Sequence, residues 1–138
     1  MLLVDTNVLI DVLENDPQWS DWSIDQLRAQ AKIRRLIINP VVYAELSTAF
    51  STIEALDRAI DGLGLTLFEL PRPALFLAGK AFVRYRRQGG AKSNVLPDFF
   101  IGAHAAVLGC PILTRDARRY DAYFSSVTLI MPGPAEPA

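Results

Sequence analysis

Four acidic residues in this 138-residue sequence stand next to short apolar segments. Asp5 and Asp116 each follow a short apolar run within a few residues, whereas Glu45 and Asp98 are embedded in apolar helical sequence. A single acid in such a place is as easily a helix cap, a first-turn acid or a turn residue. Burying an uncompensated charge is expensive, however. The joint pattern therefore favours a chemical role for all four.

The four carboxylates would repel one another if the fold brought them together. Two carboxylates about 4 Å apart repel by about 4 kcal/mol at an effective dielectric constant of about 20. Either some acids stay protonated because their pKa values rise, or a divalent cation lies between them. An all-oxygen ligand set without His or Cys prefers Mg²⁺ or Mn²⁺. Such an ion activates water and stabilises charge on a phosphate, so the acids predict phosphodiester hydrolysis.

The elements that must position these acids are short apolar strands. Runs without polar alternation predict strands that are covered on both faces, as in a parallel sheet. The ligand site of such a sheet lies beyond the carboxyl ends of its strands. We therefore predict an α/β fold, a three-layer α/β/α domain with a central, mainly parallel sheet. The predicted strands are Leu2–Val4, Leu36–Ile38, Leu65–Leu70, Pro111–Leu113 and Val127–Met131.

The segments between these runs have helical periodicity and recognisable starts. Pro40, Pro73 and Pro97 each stand where a helix tolerates proline, at its first turn. Ser23 and Ser51 are each followed three residues later by Gln or Glu, which is the spacing of a capping box. Two further helices are therefore predicted to begin at these serines.

Four short features follow one another along the chain. They are Asp5-Thr6-Asn7 after an apolar strand, Glu45 in a helix about forty residues on, Asp98 followed by Ile101 and Ala105, and Thr114-Arg115-Asp116 after a short strand. None is specific alone, but their order and spacing from Leu2 to about Met131 resemble the PIN-domain ribonucleases. More narrowly, the sequence is similar to the VapC toxins of prokaryotic toxin–antitoxin pairs.

The resemblance implies a Mg²⁺-dependent endoribonuclease, with Mn²⁺ as a possible substitute, that is neutralised by a cognate antitoxin protein and forms a homodimer. Asp5 and Asp98 are expected to bind the metal directly, and Asn7 and Thr114 to orient the acids. Some relatives carry a further acid near Asp98 that this sequence lacks, so the number of metal ions stays open. The expected catalytic residues and metal ligands are Asp5, Glu45, Asp98 and Asp116.

Charge is unevenly distributed although the formal net charge is −1. Residues 1–25 hold six acids and no base, whereas residues 70–97 hold six bases and no acid. The basic stretch is either a solvated helix face or an edge that contacts RNA phosphates, and the sequence leaves both open. Arg115 lies within the Thr-x-Asp motif and is a further candidate phosphate contact. The candidate RNA-binding residues are Arg84, Arg86, Arg87 and Arg115.

The composition favours one globular domain, with 51% hydrophobic and 21% charged residues. One Cys and one His exclude a disulfide framework and the usual zinc sites, and His104 is interpreted as a packed or solvent-facing residue. The longest mostly apolar stretch, Phe99–Leu113, is shorter than the roughly 18 to 20 residues of a membrane span. We expect a cytoplasmic protein without a membrane segment, one domain over residues 1–131 and a flexible C-terminal tail over residues 132–138.

Two other functions remain open. A catalytically inactive PIN relative would bind RNA without turnover, although the complete acid set speaks against it. A receiver-type phospho-acceptor domain also places acids at this edge of a parallel sheet. It predicts an acidic pair before the acceptor and a late lysine, whereas Leu3-Val4 precede Asp5 and the last lysine is Lys92. The high apolar share favours further burial, in a homodimer or under an antitoxin segment.

Overall fold

A five-stranded parallel sheet forms the centre of the molecule in a computed structural model, which describes residues 1–92 and 94–134. The strands lie in the order β3-β2-β1-β4-β5. The first strand is therefore the middle one: Leu2 pairs with Leu36, and Leu3 pairs with Ile112. The strands are β1 (Leu2–Val4), β2 (Leu36–Ile38), β3 (Leu65–Leu67), β4 (Ile112–Leu113) and β5 (Leu129–Ile130).

Helices cover the sheet and connect its strands. The predicted three-layer α/β/α architecture with a parallel central sheet is confirmed. The described residues form α1 (Thr6–Leu13), α2 (Ser20–Ala31), α3 (Pro40–Ser47), α4 (Ile53–Gly62), α5 (Arg72–Arg87), α6 (Leu96–Leu108) and α7 (Arg118–Tyr123).

The strands agree with the apolar runs at the centre of the sheet and are shorter at its edges. β1 and β2 have the predicted bounds, and β4 lacks only Pro111. In contrast, β3 ends at Leu67 instead of Leu70, and β5 is confined to Leu129–Ile130. An edge strand has a neighbour on one side only, so fewer of its residues are held in the ladder. Apolar sequence alone therefore overestimates the length of the edge strands.

Helices are present at Pro40, Pro73 and Pro97, and the two helices predicted from the capping boxes are also present. Neither Ser23 nor Ser51 is the cap, however. Ser23 lies inside α2, which begins three residues earlier, and its hydroxyl donates to Asp11 Oδ2 at 2.9 Å. The cap of α4 is Thr52, whose hydroxyl accepts the Ala55 amide at 3.1 Å. In the first case a tertiary partner, Asp11, takes the serine hydroxyl that the sequence pattern assigned to a cap.

Phe99 anchors α6 in the core, directly next to the acid at position 98. Its buried ring lies 5.2 Å from the ring of Tyr123 and 5.7 Å from that of Phe82 between centroids, both in edge-to-face arrangements. Such aromatic pairs contribute about 0.5 to 1.5 kcal/mol each beyond their buried area. α5 also packs along α6. The first turn of α6 is therefore held by its neighbours.

In residues 1–92 and 94–134, no helix combines the length and the hydropathy of a membrane span. Residues 132–134 form neither helix nor strand, and residues 135–138 of the predicted tail lie outside the described residues. The domain boundary at residue 131 and the cytoplasmic location stay predictions.

Substitution of Gly102 by alanine is expected to destabilise the fold. Gly102 lies in the buried part of α6, and a Cβ atom there would be only 2.3 Å from Cδ2 of the buried Phe124 ring. Overpacking of this kind costs about 1 to 3 kcal/mol. Gly79 is the matched control, because its Cβ would meet nothing within 4 Å, and Gly79→Ala should stabilise by about 0.5 to 1 kcal/mol. Urea unfolding measures both changes, and a Gly102→Ala variant as stable as Gly79→Ala would contradict the packing.

Candidate active site

The four acids predicted from the sequence line one pocket at the carboxyl edge of the sheet. Asp5 directly follows β1, and Asp116 follows β4 after two residues. Glu45 is in α3 and Asp98 is in the first turn of α6. The pocket has a volume of about 340 Å³ and is lined by Asp5, Thr6, Asn7, Ile10, Glu45, Asp98, Arg115 and Asp116.

Asp5 is the buried acid of this pocket, with 6% of its surface exposed. It caps α1: Oδ1 accepts the backbone N–H of Thr6 at 2.8 Å. Oδ2 accepts the hydroxyl of Thr114 at 2.8 Å and that of Tyr120 at 2.9 Å. Burial raises the pKa of the Asp5 carboxyl, and these hydrogen bonds partly oppose the rise. Nearby Glu45 adds to it.

Thr114 and Asn7 connect Asp5 to the chain that follows β4. The buried Thr114 hydroxyl accepts the Asp116 amide at 3.1 Å and the side-chain amide of Asn7 at 3.3 Å. Oδ1 of Asn7 accepts the backbone N–H of Arg115 at 3.2 Å. These are the contacts that an orienting role requires, and that role stays a prediction.

Tyr120 is a site residue that sequence reasoning missed. Its hydroxyl is buried against Asp5, and burial together with the charges of Asp5 and Asp98 raises the pKa of Tyr120 well above its ordinary value. The phenol therefore remains a hydrogen-bond donor at neutral pH. The only local signal was its position four residues after Asp116. Tyr120 lies in α7, a helix that the apolar pattern did not reveal.

Glu45 is held by a helix cap and by a hydroxyl from another element. Oδ1 of the buried Asn39 accepts the amides of Val41 and Val42 at 3.1 and 3.0 Å and so begins α3. Glu45 Oε1 accepts the hydroxyl of Thr6 at 2.7 Å. The contribution of Asn39 and of the Thr6 hydroxyl was not predicted, because each depends on a partner that only the fold supplies.

His104 is buried outside the pocket, as one of its two sequence interpretations proposed. Because Asn39 Oδ1 is occupied by two amides, the Asn39 Nδ2 group is the donor to His104 Nδ1 at 3.2 Å. Burial lowers the pKa of His104, which keeps the imidazole neutral. His104 therefore joins α6 to the cap of α3 and has no contact with the four acids in the part of the chain that the structure describes.

Asp98 and Asp116 each face an arginine of α7. Oδ2 of Asp98 lies 3.7 Å from Arg119 Nη1, and both oxygens of Asp116 accept from Arg118, at 3.0 Å from Nε and 2.8 Å from Nη2. Burial and the charge of Asp5 raise the pKa of Asp98 to about 6, although Arg119 opposes the rise. The hydrogen bond from Arg118 lowers the pKa of Asp116.

The sequence profile of the PIN domain matches residues 2–125. The chain belongs to the PIN domain family. The family prediction made from the acidic motifs is therefore confirmed, and it leaves no support for a receiver-type domain. No curated protein sequence matches the chain closely enough to add a relative.

Solved structures share this PIN fold at low sequence identity. VapBC2 from Rickettsia felis, bound to a promoter DNA fragment, has a TM-score of 0.74 at 18% identity over 96% of this chain and 98% of that chain. VapBC-1 from nontypeable Haemophilus influenzae has a TM-score of 0.70 at 20% identity, over 94% of this chain and 96% of that chain. A toxin–antitoxin complex from Klebsiella pneumoniae has a TM-score of 0.66 at 20% identity, over 99% of both chains. These likenesses show the fold.

The side chains that line the pocket suit a hard divalent cation, because they include four carboxylates and no His or Cys. Burial is the main reason that the pKa values of Asp5 and Asp98 are raised, and the charges of neighbouring acids add to both rises. Within residues 1–92 and 94–134, however, no three His, Cys, Asp or Glu side chains are already arranged to hold one ion. Asp116 in particular is turned toward Arg118.

Arg115 lines the pocket, but its guanidinium group is bound elsewhere. Its Nε and Nη2 atoms donate to the two oxygens of buried Asp11 at 2.6 and 2.9 Å. The group also lies over the ring of Trp19, 4.9 Å from the centroid. Arg115 therefore fastens the loop after β4 to α1, a contact that the Thr-x-Asp motif did not reveal.

The other predicted RNA-binding arginines do not line this pocket. Arg84 donates to the backbone oxygen of Tyr123 at 3.2 Å, and Arg86 donates to that of Ala91 at 3.4 Å. Arg87 is exposed near the end of α5. Whether these side chains contact RNA stays a prediction.

Asp98→Asn is expected to stabilise the metal-free protein at neutral pH. The folded-state pKa of Asp98, about 6, lies above its ordinary 3.8, so the stability associated with its proton is complete below pH 4 and is lost as the pH rises through 6. The side chain is 38% exposed, and solvent screening limits the gain at pH 7.5 to about 1 kcal/mol. Thermal unfolding in EDTA at pH 4 and pH 7.5 measures it, with the exposed Asp25→Asn as control. A gain that did not grow with pH would contradict the electrostatic origin.

Proposed function

We propose that this PIN domain is a metal-dependent endoribonuclease of the VapC toxin type, which hydrolyses RNA phosphodiester bonds with a metal-activated water. The observation that carries the proposal is the buried Asp5 facing a pocket that Asp98, Glu45 and Asp116 complete. A domain has no structural need to gather four carboxylates whose repulsion lowers its stability. RNA as the substrate follows from the resemblance to VapC toxins.

Asp5 and Asp98 are the residues that would hold Mg²⁺, or Mn²⁺ in its place. Oδ2 of Asp5 accepts two hydroxyls and, at 3.5 Å, the side-chain amide of Asn7. Oδ1 has a single donor, the Thr6 amide, and keeps a lone pair free. When bound, the ion would supply a water of lowered pKa and positive charge for the phosphate and the leaving oxygen. Thr114 and Tyr120 hold the Asp5 carboxylate in one orientation, and Glu45 and Asp116 offer further acceptors for water.

An antitoxin protein is the proposed partner, because the solved structures that share this fold include VapBC pairs and a toxin–antitoxin complex. A cationic side chain of the antitoxin that entered the pocket would replace the charge of the metal. A homodimer is proposed as well. The supporting observation is the face of α5, which exposes Leu75, Phe76 and Val83.

RNA cleavage by the purified protein tests the proposed activity. A single-stranded RNA should be cleaved with Mg²⁺ or Mn²⁺ and left intact in EDTA. Asp5→Asn and Asp98→Asn should each lower the rate on the order of 100-fold or more, because each removes a carboxylate that would bind the ion. Asp25→Asn, an exposed change on α2, is the control for charge.

Two results of this assay would count against the proposal. Cleavage that persists without metal, or full activity in both Asp5→Asn and Asp98→Asn, would remove the metal mechanism. Tight RNA binding without turnover under any divalent cation would instead identify a catalytically inactive PIN relative.

Expression of the chain alone should arrest bacterial growth if it is a toxin, and Asp5→Asn should relieve the arrest at equal protein level. Co-expression with a short open reading frame immediately upstream of its gene should also relieve it, because the antitoxin would be expected there. Growth curves with immunoblots measure both effects. Normal growth at a confirmed level of folded wild-type protein would contradict the toxin role.

A further inference from the structure

Two consecutive arginines at the start of α7 form ion pairs with two acids of the pocket. Arg118 binds both carboxylate oxygens of Asp116, and its backbone N–H also donates to Asp116 Oδ1 at 3.2 Å. Nη1 of Arg119 lies 3.7 Å from Asp98 Oδ2. Neither arginine was a candidate in the sequence, because α7 was not predicted and their partners are defined by the fold.

The ion pair between Arg118 and Asp116 is exposed, so another cation can replace Arg118 at little cost in stability. The Arg118 side chain is 80% exposed and that of Asp116 is 44% exposed, and ion pairs at such sites contribute little to stability. Yet the pair engages both oxygens of Asp116, so a cation that binds this carboxylate competes with the guanidinium group for the same negative charge. The displaced group stays within reach of the pocket, because Arg118 is the first residue of α7 and its backbone N–H donates to Asp116, which lines the pocket.

Arg119 adds a second positive charge, and it forms no hydrogen bond with its neighbour Asp98. Its distance of 3.7 Å from Asp98 is too long for a hydrogen bond, and its buried Nε has no hydrogen-bond partner in the described part of the chain. Arg115, in contrast, gives its donors to Asp11. Arg118 gives the same two donors to Asp116, but that carboxylate is exposed whereas Asp11 is buried. The Arg118 pair is therefore the one that a ligand in the pocket can reach.

We propose that Arg118 is a displaceable counter-ion of the metal site and becomes a phosphate-binding residue once a divalent cation takes Asp116. Its ligand is a backbone phosphate of single-stranded RNA, which a guanidinium group binds through two parallel hydrogen bonds, with Arg119 contributing charge beside it. This proposal rests on the proposed function, since it assigns the group that recognises the RNA next to the ion. Metal and RNA then bind cooperatively, because the first frees the group that the second requires.

Removing the guanidinium group therefore has opposite effects on two ligands. Arg118→Gln should bind Mn²⁺ about two- to five-fold more tightly, the range of a surface ion pair of up to about 1 kcal/mol, because competition for Asp116 is gone. The same variant should bind RNA more weakly in the presence of a divalent cation. Its plot of log affinity against log salt should lose about one from the slope, as for one lost phosphate contact.

The experiment uses the full chain. Calorimetric titration of the metal-free protein with Mn²⁺ gives the first affinity. Fluorescence anisotropy with a labelled single-stranded RNA in Ca²⁺, with gel analysis to confirm intact RNA, gives the second. Arg118→Lys keeps the charge but not the two parallel donors and should fall between wild type and Arg118→Gln in RNA binding. Arg28→Gln is the control, because Arg28 is exposed on α2 and has no ion pair with the four acids in the described residues.

An Arg118→Gln variant with unchanged or weaker Mn²⁺ affinity would overturn the counter-ion role, and unchanged RNA affinity and salt slope would overturn the phosphate role. Circular dichroism checks that the variant is folded, which the exposure of Arg118 favours. If the wild type cleaves no RNA while Arg118→Gln still shows both binding effects, the proposed function is wrong and the role of Arg118 stands. If the wild type cleaves RNA normally and Arg118→Gln shows neither binding effect, the proposed function stands and the role of Arg118 is wrong.

Discussion

The charge of the Asp5 carboxylate is buried at the end of the central strand, and the site is organised around its compensation. An unpaired buried carboxylate would be expensive. Its donors come from three segments: the first amide of α1, the Thr114 hydroxyl after β4 and the Tyr120 hydroxyl in α7. The network that stabilises the charge therefore also determines where the loop after β4 and the helix beyond it lie. Fold and site share one set of hydrogen bonds.

The remaining acids are compensated less completely, and by different means. Glu45 receives a hydroxyl, Asp98 has an arginine beyond hydrogen-bond distance, and Asp116 has a paired arginine at the surface. The metal-free pocket is thus neither fully neutralised nor free of partners. Repulsion among incompletely compensated acids lowers the stability of a domain, a cost that is common at functional sites.

The parts of this structure that could be predicted from the sequence are those encoded locally. Apolar runs revealed the strands, and the shared pocket of the four acids could be predicted because each acid stands beside a strand or inside an apolar helix. Ser23 was misassigned, and Tyr120 and Arg118 were missed, because their roles depend on partners elsewhere in the chain or on a short helix without a strong pattern. The Arg115 motif was seen, but not its partner Asp11, since an exposed and a buried acid look alike in sequence.

The position of β1 between β2 and β4 affects the order in which this molecule can be assembled during synthesis. The first strand leaves the ribosome early, yet one of its two neighbours is supplied by residues 112–113, and the donors of its terminal carboxylate follow later still. Long-range pairing of this kind forms late, because loop closure must precede it. A partly translated chain therefore carries Asp5 without Thr114 or Tyr120. For a protein proposed to attack RNA, the hydrogen bonds that orient Asp5 are thereby incomplete until the chain has been extended beyond Tyr120.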